Sequence, residues 1–568
     1  MLKRIFILLS LFFWQSNAGA ADLLEVYQQA LHSDTVFQQA IAQSLVTRDN
    51  VPISISYILP NISVFANPTV SRYGFSGTEY RTGTIGNVAV FDPRNLTQRT
   101  YTLDLTLTQP VFNFGLFANI AVQLENAKSA CASLNAALQS LMIRVARAYF
   151  AILKDEEIID YTNASKQYYQ YQLNQVTDQF QAGIKTKTDV YTARAAYESS
   201  VAGYIAANKQ LANDRENLRV ITNVYYAHLS YLKNDFPLSS PHPENINQWV
   251  DIALRQNWSI KAAQYTLGAA RQNIRQQYAG HLPVVTLQST FARDYAYNIN
   301  RYVSFADNNG AGTISDKSIG FNVDFPIFEG GGVISKTNQA KHLYEQQQQV
   351  LEENVRITIN NTRQSYMNII AGISQIKADR QVISAAIESL QGTIDRYDSG
   401  IQTLLDVLNR EATLYEAQVA YAADRYDLVN NILLLKEAAG TLSFEDIRIV
   451  NSWLIDSKNK HIIPYQEKLI RKSQSNARQN IKNQSSRLGN KGVDNNLIQA
   501  QADTRLTNLI DQIREETRES YKKLENQNQR SSAEITELKS ALSELRKELK
   551  NKNDQLKVAM DKVNQSQK

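Results

Sequence analysis

The sequence predicts an α+β chain, mainly α, made of two structural repeats, each a strand pair followed by a long helical hairpin. Three observations carry this prediction: two long runs without proline, four stretches with strand alternation, and a set of words that recurs in the same order. The 568 residues include eleven prolines, yet none falls between 111 and 236 or between 327 and 463. A proline inside a helix costs about 3 kcal/mol, so runs of this length suit very long helices. At 1.5 Å per residue, Leu116 to Ala182 spans about 100 Å as one helix. Each run has one weak point, FQAGIKTKTDV at 180–190 and YDSGIQTLLDV at 397–407. Gly183 and Gly400 read there as helix ends, with Thr or Asp restarting the helix. Each run is therefore a helical hairpin.

Beyond the turns, apolar residues fall three and four apart. They run from Leu405 and Leu408 through Tyr426 to Leu433, and from Val190 through Leu218 to Tyr225. That spacing predicts coiled-coil packing. The strands have a different period. In YTLDLTLTQPVF (101–112), Tyr101, Leu103, Leu105 and Leu107 point one way, while Thr102, Asp104, Thr106 and Thr108 point the other. SIGFNVDFPIF (318–328) sets Ile319, Phe321, Val323 and Phe325 against Ser318, Asn322 and Asp324. Two further strands fall in ILPNISVFANPTV (58–70) and VVTLQSTFARDYAY (284–297), with polar loops around 74–98 and 298–316. No segment after the leader reaches the roughly 18 to 20 apolar residues of a membrane helix.

The repeat is legible word by word. DLLEVYQQALHSD (22–34) resembles NINQWVDIALRQN (245–257), and ILPNISV (58–64) resembles HLPVVTL (281–287). QPVFNFG (109–115) matches FPIFEGG (325–331), and AGIKTKTDV matches SGIQTLLDV. The expected organisation is a signal peptide at 1–20, a first repeat at 21–236 and a second at 237–450. A basic polar linker at 451–500 and a coiled-coil helix at 501–568 follow. The signal peptide is read from Lys3 and Arg4, the apolar run Ile5 to Trp14, and the small residues up to Ala20. The chain is thus expected to be exported.

Composition removes several classes of function. Cys131 is the only cysteine, which leaves no internal disulfide and no cysteine metal cluster. The six histidines lack metal-ligand spacing, and no G-x-x-x-x-G-K-[ST] element is present. The expectation is no enzyme, no cofactor and no metal. Residues 457–568 hold 23 Lys+Arg against 14 Asp+Glu, an excess carried by this tail alone. Ile535, Leu538, Leu542, Leu545, Leu549 and Leu556 keep heptad spacing within it. A solvated spacer and a segment that binds an anionic envelope polymer both fit the tail; no nucleic-acid partner is expected for an exported chain.

Four strands with one apolar face cannot stand alone. An apolar outer and a polar inner face suit a barrel in lipid, whose sheet edges must be closed. The smallest such barrels have about eight strands, so several chains must combine. Three chains give a 12-stranded transmembrane β-barrel on a 12-helix α-barrel.

DLLEVYQQAL, HLPVVTL, QPVF, the element from Tyr397 to Leu408 and AAGTL at 438–442 resemble the TolC-like outer membrane factor family. The likeness covers about 22–450. It implies a homotrimer in the outer-membrane lipid with its helices in the periplasm. It also implies a passive exit duct for small-molecule efflux or type I protein secretion, with no catalytic step. An inner-membrane transporter of the RND, MFS or ABC type would open it through a periplasmic adaptor protein. On the resemblance, Asp406 stands at the periplasmic constriction, where three copies form a carboxylate ring. Asn409 replaces the family's second acidic ring one turn later. Thr188, Asp189 and Tyr397 match the contacts that hold neighbouring hairpins closed, and Gln402 stands where the family has arginine. Either the latch is looser here, or Lys185 or Lys187 supplies that missing cation. Asp406 also suits a plain helix N-terminal carboxylate, and the remaining positions suit ordinary turn residues. The competing class is an exported trimeric coiled-coil stalk or adhesin without transport.

Overall fold

The computed structural model describes residues 20–455, apart from 76–77, 84–85, 92–93 and 299–311. The signal peptide, basic linker and C-terminal coiled coil expected from the sequence lie almost wholly outside the described residues. Asp22 starts helix α1 (Leu23–Ser33) by accepting the Glu25 N–H at 2.8 Å. Asp34 ends this helix and caps α2 (Thr35–Ser56) by accepting from Phe37 N–H at 2.7 Å. Asp34 is buried and receives both guanidinium nitrogens of Arg144, at 2.8 and 2.9 Å. That fork, chiefly, holds its carboxyl below the usual carboxylate range.

Strands β1 (Asn61–Phe75), β2 (Thr78–Gly83), β3 (Gly86–Phe91) and β4 (Arg94–Phe112) follow. Then come α3 (Phe114–Gln181), α4 (Lys187–Thr222) and the short β5 (Tyr231–Leu232). The second half runs α5 (Ile246–Gln256), α6 (Trp258–Tyr278), β6 (Val284–Asn298) and β7 (Gly312–Asp324). It closes with α7 (Gly332–Asp398), α8 (Leu404–Ala438), α9 (Phe444–Ser452) and β8 (Leu454–Ile455). Helices α3 and α7, of 68 and 67 residues, each run about 100 Å.

Three expectations change. The polar stretch at 74–98 is no simple loop: β2 pairs with β3 there, and β1 and β4 stay paired out to Phe75 and Arg94. Polarity marks which face is wet; pairing continues while each backbone group finds its partner. The strand at 318–328 begins earlier, at Gly312, and ends at Asp324. Pro326 has no N–H to offer a ladder, and Phe325, Ile327 and Phe328 sit exposed beyond the strand. Finally, α3 does contain a window long and apolar enough to cross a membrane, but 56% of that window is buried within the protein. Its Leu141–Leu153 segment is the centre of the core instead.

The main sheet has the order β1-β4-β6-β7, every neighbouring pair antiparallel. The β4–β6 pair joins the two halves. Residues opposite one another share a face, so the register assigns every side. One face carries Ile62, Val64, Leu103, Leu105, Leu107, Phe291, Ile319, Phe321 and Val323. The other carries Ser63, Asn67, Thr102, Asp104, Thr106, Thr290, Asp294, Asp316 and Ser318. The apolar face is bare: Leu103 and Leu105 are 46% and 42% exposed, and Ile319 is 75% exposed.

The core lies where the long helices pass one another. Tyr149, Phe150 and Leu153 of α3 share one buried cluster with Tyr426, Val429 and Leu433 of α8, with Ile369 and Ile376 of α7, and with residues of α1 and α9. Leu405 and Tyr225, which heptad spacing places in the seam, are exposed. Inside the core, Arg425 donates to both Glu157 oxygens, at 3.1 and 3.2 Å, with both side chains almost fully buried. Tyr161 and Tyr426 hydroxyls donate to the same carboxylate, at 2.9 and 3.1 Å. The carbonyl of Lys233, at 3.2 Å, takes the other arm of Arg425. Pairing of β5 with β8 ties this inter-repeat segment to the end of the second half.

Two carboxyl pairs lie beside this cluster. Asp155 on α3, buried, faces Asp214 on α4, with Lys154 Nζ 4.0 Å away. Burial first, and then Asp214, pushes Asp155 up to about 7. Asp379 on α7 and Asp424 on α8 form the second pair, Gln375 donating to Asp379 at 2.8 Å. Burial, then Asp379, raises Asp424 to about 6. Raised folded-state values mean that the native state binds the extra protons, so this stabilisation is present at low pH and lost as pH rises through 6 to 7.

Two outcomes follow for the purified protein. The thermal midpoint rises from pH 8 to pH 6, then falls below about pH 4, where Asp34 loses its charge; a flat profile over pH 6–8 contradicts the carboxyl pairs. Arg425→Ala strands a buried carboxylate and costs about 3–5 kcal/mol, read from chemical denaturation. The double variant Arg425→Met with Glu157→Leu recovers most of that loss.

Candidate functional site

The two hairpin tips share one backbone and capping plan. α3 ends in Ala182, and Gly183 follows at φ 74°; α7 ends in Ser399, and Gly400 follows at φ 75°. Such left-handed geometry costs an L-residue with a Cβ about 1–2 kcal/mol, which explains glycine at both turns. Ile184 N–H donates to Gln179 carbonyl at 2.8 Å, and Ile401 N–H to Arg396 carbonyl at 2.9 Å. These bonds close the carbonyl ends of the helices. Thr186 then starts α4, and Thr403 starts α8.

Each threonine forms a reciprocal capping box with an aspartate three residues on. Thr403 donates its hydroxyl and its N–H to Asp406 Oδ2, at 2.8 and 3.0 Å, and accepts the Asp406 N–H at 3.3 Å. Thr186 and Asp189 repeat the arrangement with the same three distances. These hydrogen bonds favour the charged form and hold both carboxyls below their ordinary value. For Asp406 the Thr403 hydroxyl is the largest cause; for Asp189 it is the Thr186 N–H. Asp406 is therefore a cap and a fixed, ionised, water-facing carboxylate at once.

The other predicted positions separate into two groups. Asn409 is exposed one turn beyond Asp406, its carbonyl accepting from Thr413 at 3.0 Å. Thr188 is exposed, its carbonyl accepting from Thr192 at 3.0 Å. Among the described residues, the hydrogen bonds of Thr188 and Asp189 stay within their own helix start. Tyr397, by contrast, is buried, and Lys185 Nζ lies 4.4 Å from its ring centroid. One tip thus reaches the other by a cation–π contact. The Tyr397 hydroxyl and Gln402 Oε1 are buried without a hydrogen-bond partner. At the very ends, Ile184 and Ile401 are 71% and 75% exposed.

The sequence carried a signal for part of this. Thr-x-x-Asp at 186–189 and 403–406 is a capping-box pattern directly after a glycine turn. The Lys185–Tyr397 contact has no local signal, since the two residues belong to different hairpins. Lys185 stands at the position in the first turn that Gln402 holds in the second.

The capping geometry has a measurable consequence. Thr403→Ala raises the Asp406 pKa toward the free-carboxylate range and speeds hydrogen exchange at residues 404–408. In the native protein the support from both aspartates is complete above about pH 4 and fades as pH falls through their lowered values. Unchanged exchange in Thr403→Ala contradicts the box.

The geometry meets its counterparts among known proteins. The Outer membrane efflux protein family model matches residues 26–224 and 249–441. The outer membrane protein TolC of Escherichia coli (strain K12) is 31% identical over 461 residues, covering 80% of this chain and 89% of that protein. The alkaline protease secretion protein AprF of Pseudomonas aeruginosa is 27% identical over 440 residues, 77% of this chain and 88% of that one. Among solved structures, the outer membrane protein VceC of Vibrio cholerae superposes with a TM-score of 0.60 at 18% identity, over 74% of this chain and 96% of VceC. The CmeC outer membrane channel of Campylobacter jejuni gives 0.60 at 16% identity, over 78% and 94%. With both halves matched and a relative above 30% identity over four-fifths of its length, this chain belongs to the outer membrane efflux protein family.

Proposed function

We propose that the chain is one protomer of a homotrimeric exit duct, in which three four-stranded sheets close a 12-stranded barrel above a 12-helix tube. Membership of the family makes it an outer-membrane transport protein with a periplasmic helical part, and not an enzyme. The main sheet carries the finer proposal. Its outer strands β1 and β7 each have one unpaired edge, and one face carries a bare band of apolar side chains. In lipid, unpaired backbone groups cost several kcal/mol each, so edges must meet edges of other copies. The repeats, at 21–236 and 237–450, each contribute two barrel strands and one hairpin.

The tips serve as the gate. Three Asp406 copies around the axis form a carboxylate ring, and capping keeps each one ionised and oriented. With Asn409 in place of a second acid, the ring stands alone, and block by polycations is correspondingly weak. The barrel adds Asp104, Asp294 and Asp316 on its polar face, favouring cations along the same path. Closure rests on Tyr397, gripped by Lys185, and on Gln402. Their unpartnered buried atoms suit hydrogen bonds from the neighbouring protomer; an unmet buried polar group costs about 1–3 kcal/mol. Thr188 and Asp189 line the same mouth. Docking of a periplasmic adaptor and an inner-membrane transporter of the RND, MFS or ABC type draws the hairpins apart about Gly183 and Gly400. Secretion of a protease by the AprF relative and efflux in the family name support cargo that includes small molecules and proteins.

Single-channel recording in planar bilayers tests this. The wild type conducts with cation preference, Asp406→Ala lowers that preference while conductance persists, and Lys185→Ala with Tyr397→Ala raises the closed-state current. Cation preference indifferent to Asp406 removes the ring. A folded, inserted trimer that never conducts, even with the tip contacts deleted, removes the duct.

A further inference from the structure

The sheet register separates charge as sharply as it separates polarity. Among described positions 61–72, 99–112, 284–295 and 313–324, four are basic: Arg72, Arg99, Arg293 and Lys317. All four fall on the apolar face. Arg99 and Leu103 share parity along β4, Val70 pairs with Arg99, Arg293 pairs with Leu103, and Lys317 pairs with Phe291. Four positions are acidic, Asp104, Asp294, Asp316 and Asp324, and all lie on the polar face. The four cations are exposed, and among these described positions no acid shares their face.

Their height on the wall identifies what does. The helix-connected ends of the strands are Asn61, Phe112, Val284 and Asp324, so the opposite ends point away from the helices. Consecutive rows on one face are about 6.8 Å apart along a strand, or about 5 Å in height at a 35–45° tilt. Starting from the Val323–Val285 row, Lys317 stands about 15 Å up and Arg293 about 20 Å up. The Tyr101–Tyr295 pair, with ring centroids 6.2 Å apart, stands about 25 Å up, and Arg99 and Arg72 stand above it. An apolar band on an outer-membrane barrel is about 25 Å tall and ends in aromatic girdles. The aromatic pair therefore marks the outer interface, and the cations bracket it. Lys317 is the lowest; its Nζ lies 5.5 Å from the Phe291 ring centroid, and its long stem allows the ammonium to reach upward. Cations are most costly at mid-bilayer and cost little at the interface. Four on one wall, with no acid among the described positions of that face, suit anions from outside the chain.

We propose that Arg72, Arg99, Arg293 and Lys317 form a phosphate-binding patch on the outer wall of the barrel, which takes the phosphorylated headgroup of an outer-leaflet glycolipid. The patch rests on the barrel described above. Arginine supplies the planar fork suited to phosphate oxygens, and lysine adds a point charge. Three copies around a trimer give three equivalent patches.

The test uses the full-length protein in detergent and native mass spectrometry. The probes are bis-phosphorylated lipid A, the same lipid stripped of its phosphates, and phosphatidylcholine. The wild type retains the bis-phosphorylated form selectively. The triple variant Arg99→Gln, Arg293→Gln, Lys317→Gln binds it about a hundredfold more weakly, at about fivefold per charge, while phosphatidylcholine retention and vesicle insertion stay unchanged. Equal retention by the triple variant, or no preference for phosphate in the wild type, overturns the patch and leaves the barrel standing. A wild type that retains no lipid and fails to insert overturns the barrel and the patch together. Should the triple variant fail to assemble, Lys317→Gln alone is read, with a loss of about fivefold expected; no loss there overturns the patch, and Lys317→Arg retains binding.

Discussion

An open sheet with one bare apolar face is the constraint on which the rest of this protein depends. Four long strands, two unpaired edges and a row of exposed Leu, Ile and Phe side chains describe an object that water does not tolerate. Lipid tolerates the face but not the edges. Association of copies edge to edge resolves both demands, and everything below the sheet is arranged to present it. The two halves are joined through β4 and β6, so the strand pair of each repeat becomes one continuous wall. Register then does the sorting: a slip of one residue would turn every apolar side chain inward, together with all four cations.

The helices meet a different problem, that of holding four very long rods in fixed relation. Their solution is concentrated at one level. Glu157, with two tyrosine hydroxyls and Arg425 upon it, joins α3 to α8, and Arg425 carries the bond on to the inter-repeat segment. A buried ion pair of this kind adds little net stability over apolar packing, but it is intolerant of a missing partner. It therefore fixes which faces of the rods meet. Beside it, on the same helices, Asp155 and Asp424 belong to carboxyl pairs that share protons; toward the tips, buried Val176, Leu390 and Val407 continue the packing, joined by capping boxes and one lysine over one tyrosine.

The tips show how one side chain serves two purposes. Asp406 saturates the first turn of α8 while its charge faces water, and the hydrogen bonds that make it a cap also keep it ionised. Capping and a charged ring are compatible, because the same lowered pKa serves both. The first tip duplicates the box but carries Lys185 where the second carries Gln402, and that asymmetry between the repeats creates the contact with Tyr397.

The sequence by itself determined what depends on neighbours along the chain. Proline-free runs gave the rods, because a helix tolerates no missing N–H over tens of residues. Alternation at 101–112 gave the strands and their faces, and glycine followed by Thr-x-x-Asp gave the turns. Only the tertiary structure decided what depends on partners far apart in the chain. The extension of β1, β4 and β7 through polar residues came from cross-strand hydrogen bonds, which composition does not encode. The apolar window of α3 became core rather than a membrane segment because α4 and α8 lie against it. Lys185 met Tyr397, and Arg425 met Glu157, across 212 and 268 positions. The segregation of charge on the sheet was written in the parity of each strand, but only the register between strands turned four separate alternations into one positive wall and one negative lining.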